Sequence, residues 1–78
     1  MKKDHIQNKI RTLRFFKDEM TQKQLADEIG VTRQTVAAIE SGKYSPSLEL
    51  AFRISNVFKV TLDEVFTYDL SKDKFKKK

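Results

Sequence analysis

Arg33 and Gln34 stand side by side within Thr21–Leu50, TQKQLADEIGVTRQTVAAIESGKYSPSLEL. A guanidinium can donate two hydrogen bonds to O6 and N7 of guanine, and a carboxamide can both donate to and accept from the edge of adenine. The pair therefore carries the donor and acceptor sets that read bases in a DNA major groove. Polar pairs at helix starts are ordinarily just solvated faces, so the surroundings decide. Ala37 and Ala38 follow, and two small residues beside a reading pair let a helix lie close to a groove floor.

Other chemistries lack their residues. No Cys is present, so neither a disulfide framework nor a thiolate zinc site can form, and the lone His5 cannot hold a metal by itself. His5 reads as an exposed terminal side chain. There is no Gly-rich phosphate loop, no His or Cys nucleophile system and no carboxylate cluster arranged for a metal, so the expectation is a non-enzyme without cofactor or metal. Sixteen Lys and Arg against eleven Asp and Glu leave a net charge of +5, which favours a polyanionic partner, nucleic acid or an anionic membrane surface. No apolar run approaches the roughly 20 residues of a membrane span, and Met1-Lys2-Lys3-Asp4 leads into no signal-like stretch, so a cytoplasmic protein is expected. The basic tail from Ser71 to Lys78 has one Phe75 among five lysines, too little apolar face for membrane binding.

Elements that could position the reading pair follow from the spacing. Seventy-eight residues suffice for one domain with a simple core. Residues 1–70 are expected to form it, with 71–78 a flexible tail. Breakers are scarce, and Gly30, Gly42 and Pro46 each fall between segments of helical periodicity. The spacing predicts a first helix from about Gln7 to Asp18, with Ile6, Ile10, Leu13 and Phe16 as its apolar stripe and Phe15 off it. Thr21 with Gln24 three residues on predicts a capping box that opens a second helix, burying Leu25, Ala26 and Ile29 and ending at Gly30. Val31 alone separates Gly30 from Thr32, the next N-cap, so two helices must meet across a tight turn at a steep angle. The third helix, about Arg33 to Glu40, turns Val36 and Ile39 inward and leaves Arg33, Gln34, Thr35, Ala37 and Ala38 outward. Ser47 caps a fourth helix with Leu48, Ala51, Ile54, Ser55 and Phe58 on its buried side. Thr61 and Glu64 open a short fifth helix, Leu62 to Phe66. The reading is all-α, with five helices.

With this spacing the chain closely resembles the Cro/phage-repressor (XRE) family of helix-turn-helix transcriptional regulators over about Asn8 to Phe66: a Thr-Gln opening, Leu-Ala, an Ile-Gly turn, Val-Thr, a polar pair, Glu-x-Gly and Pro-Ser-Leu. The resemblance implies a lambda-repressor-like DNA-binding domain. It implies that Arg33, Gln34 and Ala38 face bases, and that Gln22, Thr32, Thr35 and Lys43 hold phosphates, with Gln22 also buttressing the recognition helix. It further implies a partly buried salt bridge between Arg14 and Glu40. Three departures stand out. Lys17-Asp18-Glu19-Met20 is one residue longer than the usual joint, so the end of the first helix must bulge or extend. Phe15 and Phe16 replace positions commonly charged. Lys59 stands where the family often has Gly, and must adopt positive φ there.

The partner expected is double-stranded DNA, bound as a prokaryotic or phage repressor, with no small-molecule ligand. Control would then come from abundance, oligomerisation or another protein. A homodimer, at least on DNA, is expected because one recognition helix offers only three or four reading side chains. Phe66, Tyr68 and Leu70 are the candidate interface and Phe15 a second. The rival is an antitoxin-like or scaffold module that keeps the fold and binds a protein.

Overall fold

A computed structural model of the chain describes residues 6–72. His5, Phe75 and the tail lysines from position 74 onward lie outside them. The order is β1 (Ile6–Asn8), α1 (Ile10–Phe16), α2 (Gln22–Ile29), α3 (Arg33–Glu40), α4 (Leu48–Phe58), α5 (Leu62–Val65), β2 (Phe66–Tyr68) and a 3-10 turn (Leu70–Lys72). Five helices are thus joined by a small antiparallel strand pair, in register Ile6↔Tyr68, Gln7↔Thr67 and Asn8↔Phe66.

Local chemistry explains most helix ends. Thr21 Oγ1 accepts from Gln24 N at 3.0 Å and Gln24 Oε1 accepts from Thr21 N at 2.8 Å, so two otherwise unsatisfied donors at the start of α2 are met reciprocally. Gly30 closes α2 at φ 79°, and the N–H groups of Gly30 and Val31 both donate to Ala26 O. Thr32 and Ser47 cap α3 and α4 by accepting from Thr35 N and Leu50 N, each at 3.1 Å. At α5, Thr61 N donates to Glu64 Oε1 at 2.8 Å while the Thr61 hydroxyl donates to Asp63.

Ile10, Leu25, Ala26, Ile29, Val36, Ile39, Leu50, Ile54 and Val65 form one buried cluster, with Val31 packed against it from the turn. Ala26 is fully buried. With α2 packed on both α3 and α4, this core fixes the angle at which α3 is presented.

Several sequence expectations need correction. The first helix begins at Ile10, because Gln7 and Asn8 belong to β1 and the Asn8 carboxamide accepts from Ile10 N at 3.1 Å. It ends at Phe16, because Asp18 and Glu19 both take left-handed backbone at φ 53° to absorb the extra residue of the joint. The fifth helix stops at Val65, and Phe66 opens β2. Phe16 is not part of a buried stripe; it lies beyond the core at the helix end, 76% exposed. Leu48 is likewise 67% exposed while Leu50 is buried. At about 100° per residue, Leu48 sits a quarter turn from the direction shared by Leu50, Ala51, Ile54 and Ser55. Lys59 does adopt positive φ, at 55°.

Candidate nucleic-acid interface

The face of α3 opposite Val36 and Ile39 follows from helical geometry. Gln34 points almost directly away from the buried pair, with Ala37 and Ala38 about 50° to either side of that direction and Arg33 and Thr35 at the flanks. Arg33 and Gln34 are exposed, whereas Thr35, Ala37 and Ala38 are half-buried. The structure brings Thr32 and Thr35 together, their hydroxyls 3.0 Å apart at the N-terminus of α3. That end carries backbone N–H groups and the positive pole of the helix dipole, a favourable place for a phosphate.

Beyond the other end of α3, Gly42 takes φ 82°, and Lys43 N and Tyr44 N both fold back onto Ala38 O. This turn leaves the Lys43 side chain exposed just past the helix.

Beneath α3 runs a polar network. Arg14 of α1 meets Glu40 of α3 through Nε at 2.6 Å and Nη2 at 3.1 Å, and its Nη1 donates to Met20 O at 2.8 Å. The Arg14 and Glu40 side chains are only 14% and 10% exposed. Gln22, at the start of α2, donates through Nε2 to Glu40 Oε1 and accepts through Oε1 from Arg33 Nη1, both at 3.2 Å. Arg14, Gln22, Arg33 and Glu40 are therefore one connected group drawn from three helices. Gln34, Ala38 and Lys43 stand outside it.

Two further residues support α3 and the turn before it. Asn8 donates to the carbonyls of Ile39 and Glu40 at 3.1 and 3.4 Å, holding the last turn of α3. Arg53 donates to Ile29 O at 3.3 Å, at the turn between α2 and α3. Neither had a local signal, since each depends on contact between elements far apart in sequence. Among the described residues, no group of three or more His, Cys, Asp or Glu could hold a metal ion, and no helix is long and apolar enough to cross a membrane.

A helix-turn-helix family profile matches residues 10–65. An uncharacterized HTH-type transcriptional regulator of Methanocaldococcus jannaschii is 45% identical over 64 residues, covering 82% of this chain and 96% of that protein. The uncharacterized HTH-type transcriptional regulator YgzD of Bacillus subtilis is 46% identical over 61 residues, covering 78% and 91%. Among solved structures, the restriction-modification controller protein C.AhdI of Aeromonas hydrophila superposes with a TM-score of 0.62 at 25% identity, over 70% of this chain and 78% of that one.

Proposed function

The chain belongs to the XRE-type helix-turn-helix family, a family of DNA-binding transcriptional regulators and not of enzymes, and from this we propose that it represses transcription with α3 set in the major groove of its operator. In this reading Arg33 and Gln34 contact base edges, with Ala38 against the groove floor. Gln22, Thr32, Thr35 and Lys43 hold phosphates on either side, so that phosphate contacts position the helix and base contacts specify the sequence. The observation that carries the reading is Arg33, exposed at the leading end of α3 yet tethered at 3.2 Å to Gln22. An arginine serving only as a solvated surface charge has no need of such an anchor.

The protein acts as a homodimer, at least on DNA, with a second copy reading a half-site about one helical turn away, roughly 34 Å. Tyr68 and Leu70 are 49% and 68% exposed, and Phe15 is 61% exposed, which supports their availability to a second copy; Phe66 is half-buried and packs against the core. Leu48 and Phe52, also exposed, lie on one side of α4 next to Glu49 and Arg53.

Selection of bound sites from random duplex DNA, followed by Arg33→Ala, tests the assignment. The substitution is expected to cost about 1 to 3 kcal/mol on the selected site and much less on random DNA. Lys43→Ala should weaken all sequences alike and lower the salt slope by about one unit. Equal loss of both DNAs with Arg33→Ala would make Arg33 a phosphate contact.

One observation favours the rival reading of a protein-binding module. Phe15 and Phe16 stack edge to face on the surface with centroids 5.3 Å apart, more apolar area than α1 needs for its own packing. A salt series on random DNA separates the two, because only a DNA reader loses affinity steeply as salt rises.

A further inference from the structure

The network beneath α3 has a direction that its members impose on one another. A carboxylate only accepts hydrogen bonds and a guanidinium only donates them, while a carboxamide has one side of each kind. Gln22 lies between Glu40 and Arg33. Only one orientation of its amide satisfies both neighbours, with Nε2 toward Glu40 Oε1 and Oε1 toward Arg33 Nη1. Reversed, the amide would set oxygen against carboxylate and NH2 against guanidinium. Glu40 is itself held by two bonds from Arg14, and Arg14 by Met20 O.

We propose that Glu40 is a positioning residue for base recognition: it fixes the orientation of the Gln22 amide and, through it, the posture of the Arg33 guanidinium. The proposal rests on Arg33 reading a base. Glu40 has no need to touch DNA. It supplies the acceptor that decides which way Gln22 points. Held through one Nη1 hydrogen, Arg33 keeps the rest of its donor fork for a base edge, and Gln22 keeps its second N–H for a phosphate. An untethered Arg side chain would have to be ordered when DNA arrives, at a cost in rotamer entropy; the tether orders it beforehand.

The decisive substitution is Glu40→Gln. It preserves volume and one acceptor for Arg14, but its amide can present NH2 as well as oxygen, which removes the constraint on Gln22. The quantity to measure is the ratio of affinities for a selected operator and for operators changed one base pair at a time. That ratio does not depend on what fraction of a preparation is folded. Arg33→Ala identifies the base pair that Arg33 reads. At that pair, Glu40→Gln is expected to lower discrimination roughly five- to tenfold, with other pairs kept within about twofold. Gln22→Leu, which leaves the Arg14–Glu40 pair intact, should lower the same ratio, and keeps the test available if Glu40→Gln folds poorly. In a Gln22→Ala background, Glu40→Gln should change nothing further, since the connection is already cut. Wild-type discrimination in folded Glu40→Gln or in Gln22→Leu, an equal loss at every base pair, or an undiminished effect of Glu40→Gln in the Gln22→Ala background would each overturn the proposal. Should Arg33→Ala itself alter no base preference, the base-reading assignment fails first. An effect of Arg33→Ala without an effect of Glu40→Gln or Gln22→Leu would sink the positioning role alone.

Discussion

Glu40 accepts three side-chain hydrogen bonds while its side chain is 10% exposed, so its removal does more than delete one ion pair. Glu40→Ala leaves Arg14 charged at a half-buried position and Gln22 without its acceptor. It should destabilise the fold by about 2 kcal/mol or more, above the ~0 to 1 kcal/mol of an exposed pair. Denaturant melts check this, and a loss confined to a few tenths would show that Arg14 relaxes into water. At this scale the sequence was informative where chemistry is local. The capping oxygens of Thr21, Thr32 and Ser47, the turn at Gly30 and the polar pair at Arg33 announce themselves by type and spacing. The bond from Arg33 to Gln22 does not, because it joins side chains eleven positions apart across the turn.

At the scale of the elements, α4 ends on Lys59 in left-handed backbone, a conformation that crowds the Cβ of any residue but glycine. Lys59→Gly should therefore raise stability by several tenths to about 1 kcal/mol, read as a higher melting midpoint. An unchanged or lowered midpoint would mean that the added freedom of the unfolded chain offsets the relief. The five helices were legible from periodicity and caps. The strand pair was not: three residues are too few for an alternating pattern to stand out, and their pairing depends on the two ends of the domain meeting. The exposure of Phe16 and Leu48 is hidden from the sequence for a related reason. Periodicity finds an apolar stripe but not where the core beneath it stops.

For the whole molecule, the expected footprint of the protein on a selected operator is two half-sites centred about 34 Å apart and protected together. Sedimentation of the free protein then reports whether the copies pair before DNA or only on it. A single half-site covered by one copy at saturation would exclude the dimer. The sequence itself offers Phe15, Tyr68 and Leu70 for such a contact, whereas the exposure of Leu48 and Phe52 emerges only once the core has claimed its share of apolar residues. The strand pair also bears on the order in which α3 becomes rigid. It joins segments from opposite ends of the described chain, so closing it carries the largest loop entropy and belongs late in folding. Asn8, at its edge, holds the carbonyls of Ile39 and Glu40. The leading turn of α3, with Arg33 and Gln34, is thus secured early by Thr32 and by packing, and its trailing turn only when the two ends meet. In native-state hydrogen exchange, transient opening of the strands should therefore expose the amide of Gly42, which bonds Ile39 O, more readily than that of Val36, which bonds Thr32 O.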